Sequence, residues 1–400
     1  MKVAGIIAEY NPFHNGHALL AEKARKAGAT HIVAVMSGNF VQRGDIAVFS
    51  HGTRAEAALA SGVDLVIQLP CVYALSGAQS FARAGVEILD ALGCVDELVF
   101  GSECGDIDKI ISAADCVYGD EITPHIKSEL DKGVSFAAAR ENALRIVDAE
   151  AADIIKHPNN ILGVEYVAAI KRAGSRMKPV TFPREGAEHD GINTNGSIAS
   201  ASYIRKMIET GGEWKNFVPE KAAEIFEGAL QKREAPVFLK NAENAVLYSA
   251  RMQSREDLAK APDISEGIEK RIYDAARKAV SLNDLYDTAK TKRYSHARIR
   301  RIVLNSFLGI TAKDSAIPVP YIRVTGFNSN GAEILRKIKG ETKLPVITKA
   351  ADLSCLGEEA ERIFAIECKA GDIYSLSKPE IKPCGSEKAF VPIINKQEIK

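Results

Sequence analysis

Short uninterrupted apolar runs alternate with alanine-rich amphipathic stretches over the first hundred residues. The runs Val3–Ala8, His31–Met36, Asp64–Leu69 and Glu97–Gly101 predict strands, and the stretches Ala18–Ala27, Arg54–Ser61 and Ala78–Leu92 predict helices between them. Apolar runs that do not alternate with polar positions fit strands buried on both faces. The pattern therefore predicts an α/β fold, a parallel sheet with helices on either side. In such a sheet ligands sit beyond the carboxyl ends of the strands. His14, Ser37-Gly38-Asn39 and Gly101-Ser102-Glu103 each follow a strand end and are expected to converge on one edge.

Further along, the pattern predicts a helix near Ile161–Ala173, a strand near Pro179–Phe182 and a Gly- and Asn-rich loop from Gly186 to Gly196. A helix then begins within Ser197–Arg205. Gly211 to Gly309 reads as helical, with no clear strand. After Thr311, strands are expected at Tyr321–Val324, Pro345–Thr348 and Ile373–Ser375, with helices near Gly331–Lys339 and Gly357–Phe364. The shifts near 212 and 311 suggest a first domain over 1–212, a helical one over 213–310 and a small C-terminal α/β domain over 311–400.

Composition narrows the class. Hydrophobic residues make up 46% of 400, enough for large cores. The 52 basic and 52 acidic residues cancel, so any nucleic-acid surface must be a local patch. The cysteines at 71, 94, 104, 116, 355, 368 and 384 form no CxxC pair and indicate neither a zinc site nor a disulfide framework. No apolar run approaches membrane-spanning length, and Met1-Lys2-Val3 leads straight into a strand without a signal-peptide pattern. A soluble cytoplasmic protein is expected, with no membrane partner.

Two segments carry candidate chemistry. His14-Asn15-Gly16-His17 lies between the first strand and the first helix. A helix N-terminus offers unpaired N–H groups and the positive end of the macrodipole to phosphates. Imidazole donors can follow charge as it builds on phosphorus, and Gly16 lets the backbone approach. Ile198-x-Ser200-x-Ser202-x-x-Arg205 places two hydroxyls and a guanidinium at the start of a later helix, a second phosphate-gripping arrangement.

Together these resemble the HxGH and ISxxxxR-type signatures of the nucleotidylyltransferase superfamily, whose members bind a nucleoside triphosphate on a Rossmann-like sheet. The resemblance implies that a nucleophile attacks the α-phosphate, with His14 and His17 facing it and Ser200, Ser202 and Arg205 holding the departing pyrophosphate. It narrows with longer matches. Gly5 through His17 looks like the opening of the tRNA(Met) cytidine acetate ligase family. So do Met36–Gly44, Gly62–Pro70, Phe100–Glu103, Pro158–Gly163, Phe182–Gly186 and Tyr294–Arg298. That family is expected to form acetyl-adenylate from acetate and ATP and to pass the acetyl group to N4 of the wobble cytidine of elongator tRNA(Met).

By the same resemblance the ATP segment is Ile7, Ala8, Glu9, Tyr10, Asn11, Pro12, Phe13, His14, Asn15, Gly16, His17, Ala18, Leu19 and Leu20. Gly101, Asn160 and Arg184 complete the site; Asn160 serves equally well as a helix cap after Pro158. Mg²⁺ is expected with the triphosphate, held by no dedicated protein cage. One departure is visible: Ser50-His51-Gly52-Thr53 precedes Arg54 where the family pattern has a Lys and an aromatic residue.

For RNA, Thr288 to Arg301 holds Lys290, Lys292, Arg293, Arg298, Arg300 and Arg301 and no acid. Ile299, Val303 and Phe307 recur at helical spacing and should pack inward, leaving the arginines to face a phosphate backbone. Tyr294 and His296 are candidates to stack on a base, and Arg43 is a further substrate or RNA contact. A small-molecule nucleotidylyltransferase and a non-catalytic, nucleotide-regulated RNA-binding factor remain alternatives.

Overall fold

The computed structural model of the chain describes residues 1–134, 136–184 and 196–395. The loop expected from Gly186 lies outside these except for Gly196, as do Glu185 and Gly186 of the Phe182–Gly186 match. The first strands are β1 (Val3–Ala8) and β2 (His31–Ser37), followed by a short hairpin of β3 (Phe40–Val41) and β4 (Asp45–Ile46). Then come β5 (Leu65–Leu69), β6 (Glu97–Ser102), β7 (Lys178–Pro183), β8 (Ile322–Phe327), β9 (Val346–Ile347) and β10 (Ile393–Ile394). Helices α1 (Asn15–Lys26), α2 (His51–Leu59), α3 (Cys71–Ala74), α4 (Ala78–Ala91) and α5 (Ile107–Tyr118) lie between the early strands or after β6.

The main sheet runs β10-β8-β5-β2-β1-β6-β7, with β9 also on β8. The five strands β5, β2, β1, β6 and β7 are parallel; β1 pairs with β2 from Val3↔His31 to Ala8↔Met36. Side chains alternate across β1: Val3 and Ile7 join one core with α4, whereas Ala4 and Ile6 join another with α1 and α2. This double burial explains the unbroken apolar runs. The approach of α4 is close. A Cβ on Gly85 would lie 2.7 Å from Ile7, and one on Gly5 would lie 2.7 Å from Leu89.

The expected strands near 321 and 345 are present, but they form no sheet of their own. β8 adds antiparallel to β5, and β9 and β10 follow β8. Ile373–Ser375, expected as a strand, lies instead in the helix Glu358–Leu376. Ile363, Phe364, Ile366, Ala370 and Tyr374 are buried along it, and this longer periodicity overrides the local β-branched residue. Between 211 and 309 no strand occurs among the described residues. Glu220–Gln231 packs on α2, while the helices from Glu243 to Leu308 build a separate core around Ile272, Leu285, Ile299 and Ile302.

From β1 the chain moves to β2 and β5 on one side, then to β6 on the other. The order reverses beside β1, which opens a crevice between the loops after β1 and β6.

Candidate nucleotide site

The turn after β1 is built from buried residues. Tyr10 adopts φ +49°, an uncommon left-handed backbone for a non-glycine residue, and its ring meets both Phe13 and His17 edge-on at 4.8 Å. His14 is the N-cap of α1. Its Nδ1 accepts the Gly16 N–H at 3.1 Å, and its own N–H donates to His17 Nδ1 at 3.2 Å. A reciprocal capping box is thus made of two imidazoles, whose rings stack with centroids 3.7 Å apart. Because each Nδ1 accepts from the backbone, each neutral ring must carry its proton on Nε2. A Cβ on Gly16 would come within 3.0 Å of the His14 ring, so glycine is what gives that ring its place.

Burial, with Arg184 and Arg205 adding to it, pushes His14 down to about 3. Burial, His14 and Arg184 hold His17 well below its usual range. At neutral pH both are uncharged Nε2–H donors. This has a stability consequence. In the unfolded chain His14 takes a proton near pH 6.5, but in the folded chain only near 3, so stability present above 6.5 is lost as pH falls between these values. His14→Gln keeps an acceptor for Gly16 N–H and removes this titration. Between pH 7 and 5 the wild type should lose about 2 kcal/mol more than the variant in urea unfolding. Equal losses would show that His14 is already protonated when folded.

The second turn meets the first directly. Asn15 Nδ2 donates to Ser197 O at 2.8 Å and to Asn216 O at 3.0 Å. Ser200 caps the helix Ala201–Thr210, accepting from Tyr203 N–H at 3.2 Å, and its hydroxyl lies 3.0 Å from that of Ser202. Arg205 Nη1 donates to Asn11 O at 2.7 Å. A cleft opens between these turns and the ends of β6 and β7. It is lined by His14, Gly16, His17, Leu19 and Leu20 of the expected ATP segment, by Gly101 and Arg184, and by Ser200. Ile198, which opens the second motif, and Phe182 and Pro183 of the Phe182–Gly186 match also line it, as do Lys23 and Ala199, which the sequence did not single out. Lys23 lies one turn after Leu19 on the same face of α1, a signal that was available.

Other expected residues sit elsewhere. Ile7 and Tyr10 through Phe13 are buried beneath the pocket and do not line it. Asn160 is 1% exposed and its amide is engaged within the protein: Oδ1 accepts from Glu103 N–H (2.9 Å) and Cys104 N–H (3.2 Å), and Nδ2 donates to Ile154 O (3.1 Å). Its side chain shapes the loop after β6 and does not reach the pocket. Nor is it the helix cap. Glu103 takes that role, its carboxylate accepting from Asn159 and Asn160 N–H at the start of Pro158–Arg172. Ser37-Gly38-Asn39 does not line the pocket either. Ser37 O and Gly38 O accept from Arg54, and Asn39 Oδ1 accepts from His51 N–H, so two segments converge at the pocket and the third is sealed.

The basic segment changes most. Ile299 and Val303 are buried as expected. Tyr294 is buried as well and donates to Glu266 O at 2.6 Å, which removes it as a stacking platform. Arg298 donates to Asp263 O and Ser265 Oγ. Arg301 is mostly buried beside Asp263 at 3.5 Å, and Arg300 lies over the Tyr286 ring. His296 faces Asp287 at 3.4 Å. The missing acids are thus supplied by neighbouring elements. Lys290, Lys292 and Arg293 remain on the surface. Arg43 is near the pocket: burial lowers Arg184, which Glu103 opposes and Arg43 reinforces.

A parallel sheet with paired imidazoles at one helix N-terminus and a serine–arginine turn against them is the arrangement of a nucleotidyl transferase. The HIGH Nucleotidyl Transferase family model matches residues 1–388. The tRNA(Met) cytidine acetate ligase of Caldanaerobacter subterraneus is 42% identical over 386 residues, spanning 94% of this chain and 96% of that protein. The protein of that name from Acetivibrio thermocellus is 36% identical over 97% and 98%. Thermotoga maritima TmcAL, in a crystal structure of the apo form, is similar with a TM-score of 0.95 at 34% identity, over 99% of this chain and 100% of that one. A second crystal form, bound with alpha-thio ATP, gives 0.93. The chain belongs to the tRNA(Met) cytidine acetate ligase family.

Proposed function

We propose that the protein activates acetate with ATP and transfers the acetyl group to N4 of the wobble cytidine in elongator tRNA(Met). The observation that supports this reading is the contact between the two turns, with His14, Gly16 and His17 of the first and Ile198, Ala199 and Ser200 of the second lining one pocket. ATP lies with its triphosphate on the N-terminus of α1. The Nε2–H groups of His14 and His17 meet charge building at the α-phosphate. Ser200, Ser202, Arg205 and the helix they start hold pyrophosphate. Gly101 allows close approach, and Arg184 suits a phosphate or the ribose. The acetate carboxylate attacks the α-phosphate and pyrophosphate leaves; cytidine N4 then takes the acetyl group and AMP leaves. Mg²⁺ accompanies the triphosphate. Among the described residues no group of three or more His, Cys, Asp or Glu is placed to hold a metal. The surface residues Lys292 and Arg293 suit a phosphate backbone. Among the described residues no helix is long and apolar enough to cross a membrane, and the setting proposed is the cytoplasm.

The test is incubation with ATP, acetate and elongator tRNA(Met), followed by digestion and mass spectrometry. N4-acetylcytidine that depends on all three is the expected product. Its absence, or a dinucleotide-like product made with a phosphorylated metabolite, would overturn the reading.

A further inference from the structure

Behind the nucleotide pocket, where the β3–β4 hairpin meets the helix His296–Leu308, complementary polar groups gather without satisfying one another. The hairpin docks closely because Gly44 has φ +76° and no side chain. A Cβ there would lie 2.5 Å from the Arg300 Cβ and 2.8 Å from Arg301 N. Arg301 Nη1 donates to Gln42 O at 3.3 Å across the same seam. Docking places Asp45, the first residue of β4, within the electrostatic reach of Arg300, Arg205 and Glu9. Asp45 accepts the adjacent Ile46 N–H at 2.8 Å and makes no ion pair within 4 Å among the described residues.

Four buried atoms at this junction have no partner among the described residues: Glu9 Oε1, Arg300 Nε, Arg301 Nε and the Tyr286 hydroxyl. Tyr286 is 3% exposed, and the Arg300 guanidinium carbon sits 5.4 Å from its ring centroid. Orphaned buried donors and acceptors cost stability, and a group that pairs with them would recover it. Arg205 links the junction to the first turn: its charge acts on both Asp45 and His14, and it donates to Asn11 O.

The ligand needs both an amine to give to a carboxylate and acceptors for a guanidinium. The pairing edge of cytosine has both: N4 donates, while N3 and O2 accept. We infer that this junction is the pocket for the acceptor cytosine, with Asp45 receiving the N4 proton and Arg300 binding the N3/O2 edge. The assignment rests on the acetate–tRNA reading above. In the transfer step, N4 bonds to the acetyl carbon of acetyl-adenylate and the bond from that carbon to the phosphate oxygen breaks. AMP leaves as its anion, and one N4 proton passes to the Asp45 carboxylate and on to solvent. Burial raises the Asp45 carboxyl, against Ile46 N–H, Arg205 and Arg300 and with Glu9, which makes it the stronger base. The helix bearing Arg300 therefore points this basic residue inward at a base.

Asp45→Asn is nearly isosteric and keeps an acceptor for Ile46 N–H. Acetate-dependent exchange of pyrophosphate into ATP, in which Asp45 takes no part, reports folding and adenylation. Exchange should stay within about twofold of wild type, while acetyl transfer at saturating tRNA falls by about 10²–10⁴, the usual worth of a general base. Asp45→Glu should recover part of the transfer. Transfer by Asp45→Asn within about threefold of wild type, or equal loss of exchange and transfer, would overturn the assignment. Absence of acetate-dependent exchange in the wild type would instead refute the acetate reading itself.

Discussion

Replacing His17 with alanine is expected to slow acetate-dependent pyrophosphate release by about 10²–10³, the usual effect of deleting one preorganised donor. The ring sits against Tyr10, Phe13 and His14, and the His14 N–H fixes its tautomer by donating to Nδ1. Alanine removes the Nε2–H donor and also leaves the His14 N–H without its acceptor. The two imidazoles therefore act as one unit, and His14→Ala/His17→Ala together should cost little more than either alone. The loss should appear in kcat as well as in kcat/KM, since the donor matters most as charge develops. A His17→Ala enzyme within about threefold of wild type would remove the imidazole from the chemistry.

Replacing Arg54 with methionine is expected to cost about 3–5 kcal/mol of folding stability, measured by urea unfolding. Arg54 has no solvent exposure. Its Nε donates to Phe49 O at 3.0 Å, Nη1 to Glu9 O, and Nη2 to both Ser37 O and Gly38 O. These carbonyls end β1 and β2 and begin α2, where no ladder partner remains. Methionine fills similar volume yet leaves four carbonyls unpaired in a buried place. An exposed pair such as Lys26–Glu22 should instead be worth about 0.5 kcal/mol or less. Loss of less than about 1 kcal/mol on Arg54→Met would show that water or neighbours satisfy those carbonyls.

The departure from the family pattern just before Arg54 makes contacts of its own. Ser50 accepts from Thr53 N–H and caps α2, while His51 Nε2 reaches Glu387 Oε1 at 3.0 Å. Glu387 is bound by Arg323 Nη1 at 2.7 Å, and Glu367 accepts from Gln68 Nε2 and Cys71 N–H. The C-terminal segment thus seals the loops after β2 and β5. In the sequence these residues are hundreds of positions apart, so nothing local announces their pairing.

The same contrast runs through the site. The His14–His17 turn was legible because its chemistry is local: a strand, a capping residue and a helix within fifteen residues. The central parallel strands were legible because burial on both faces leaves a continuous apolar run. The antiparallel addition of β8 to β5 was not, since pairing direction depends on where a distant strand docks. Asn160 reads alike as a ligand contact or a cap. Only the structure shows its amide spent on Glu103, Cys104 and Ile154. Arg298 and Arg301 looked uncompensated because Asp263 comes from another element.

The central claim is that acetate attacks the α-phosphate of ATP held between the two turns. It is tested most directly with acetate carrying ¹⁸O in both carboxylate oxygens, turned over with ATP and elongator tRNA(Met). If acetate oxygen bonds to phosphorus and the acetyl–oxygen bond then breaks, the AMP released must contain one ¹⁸O atom per acetylcytidine formed. Acetylated tRNA accompanied by unlabelled AMP would contradict the account.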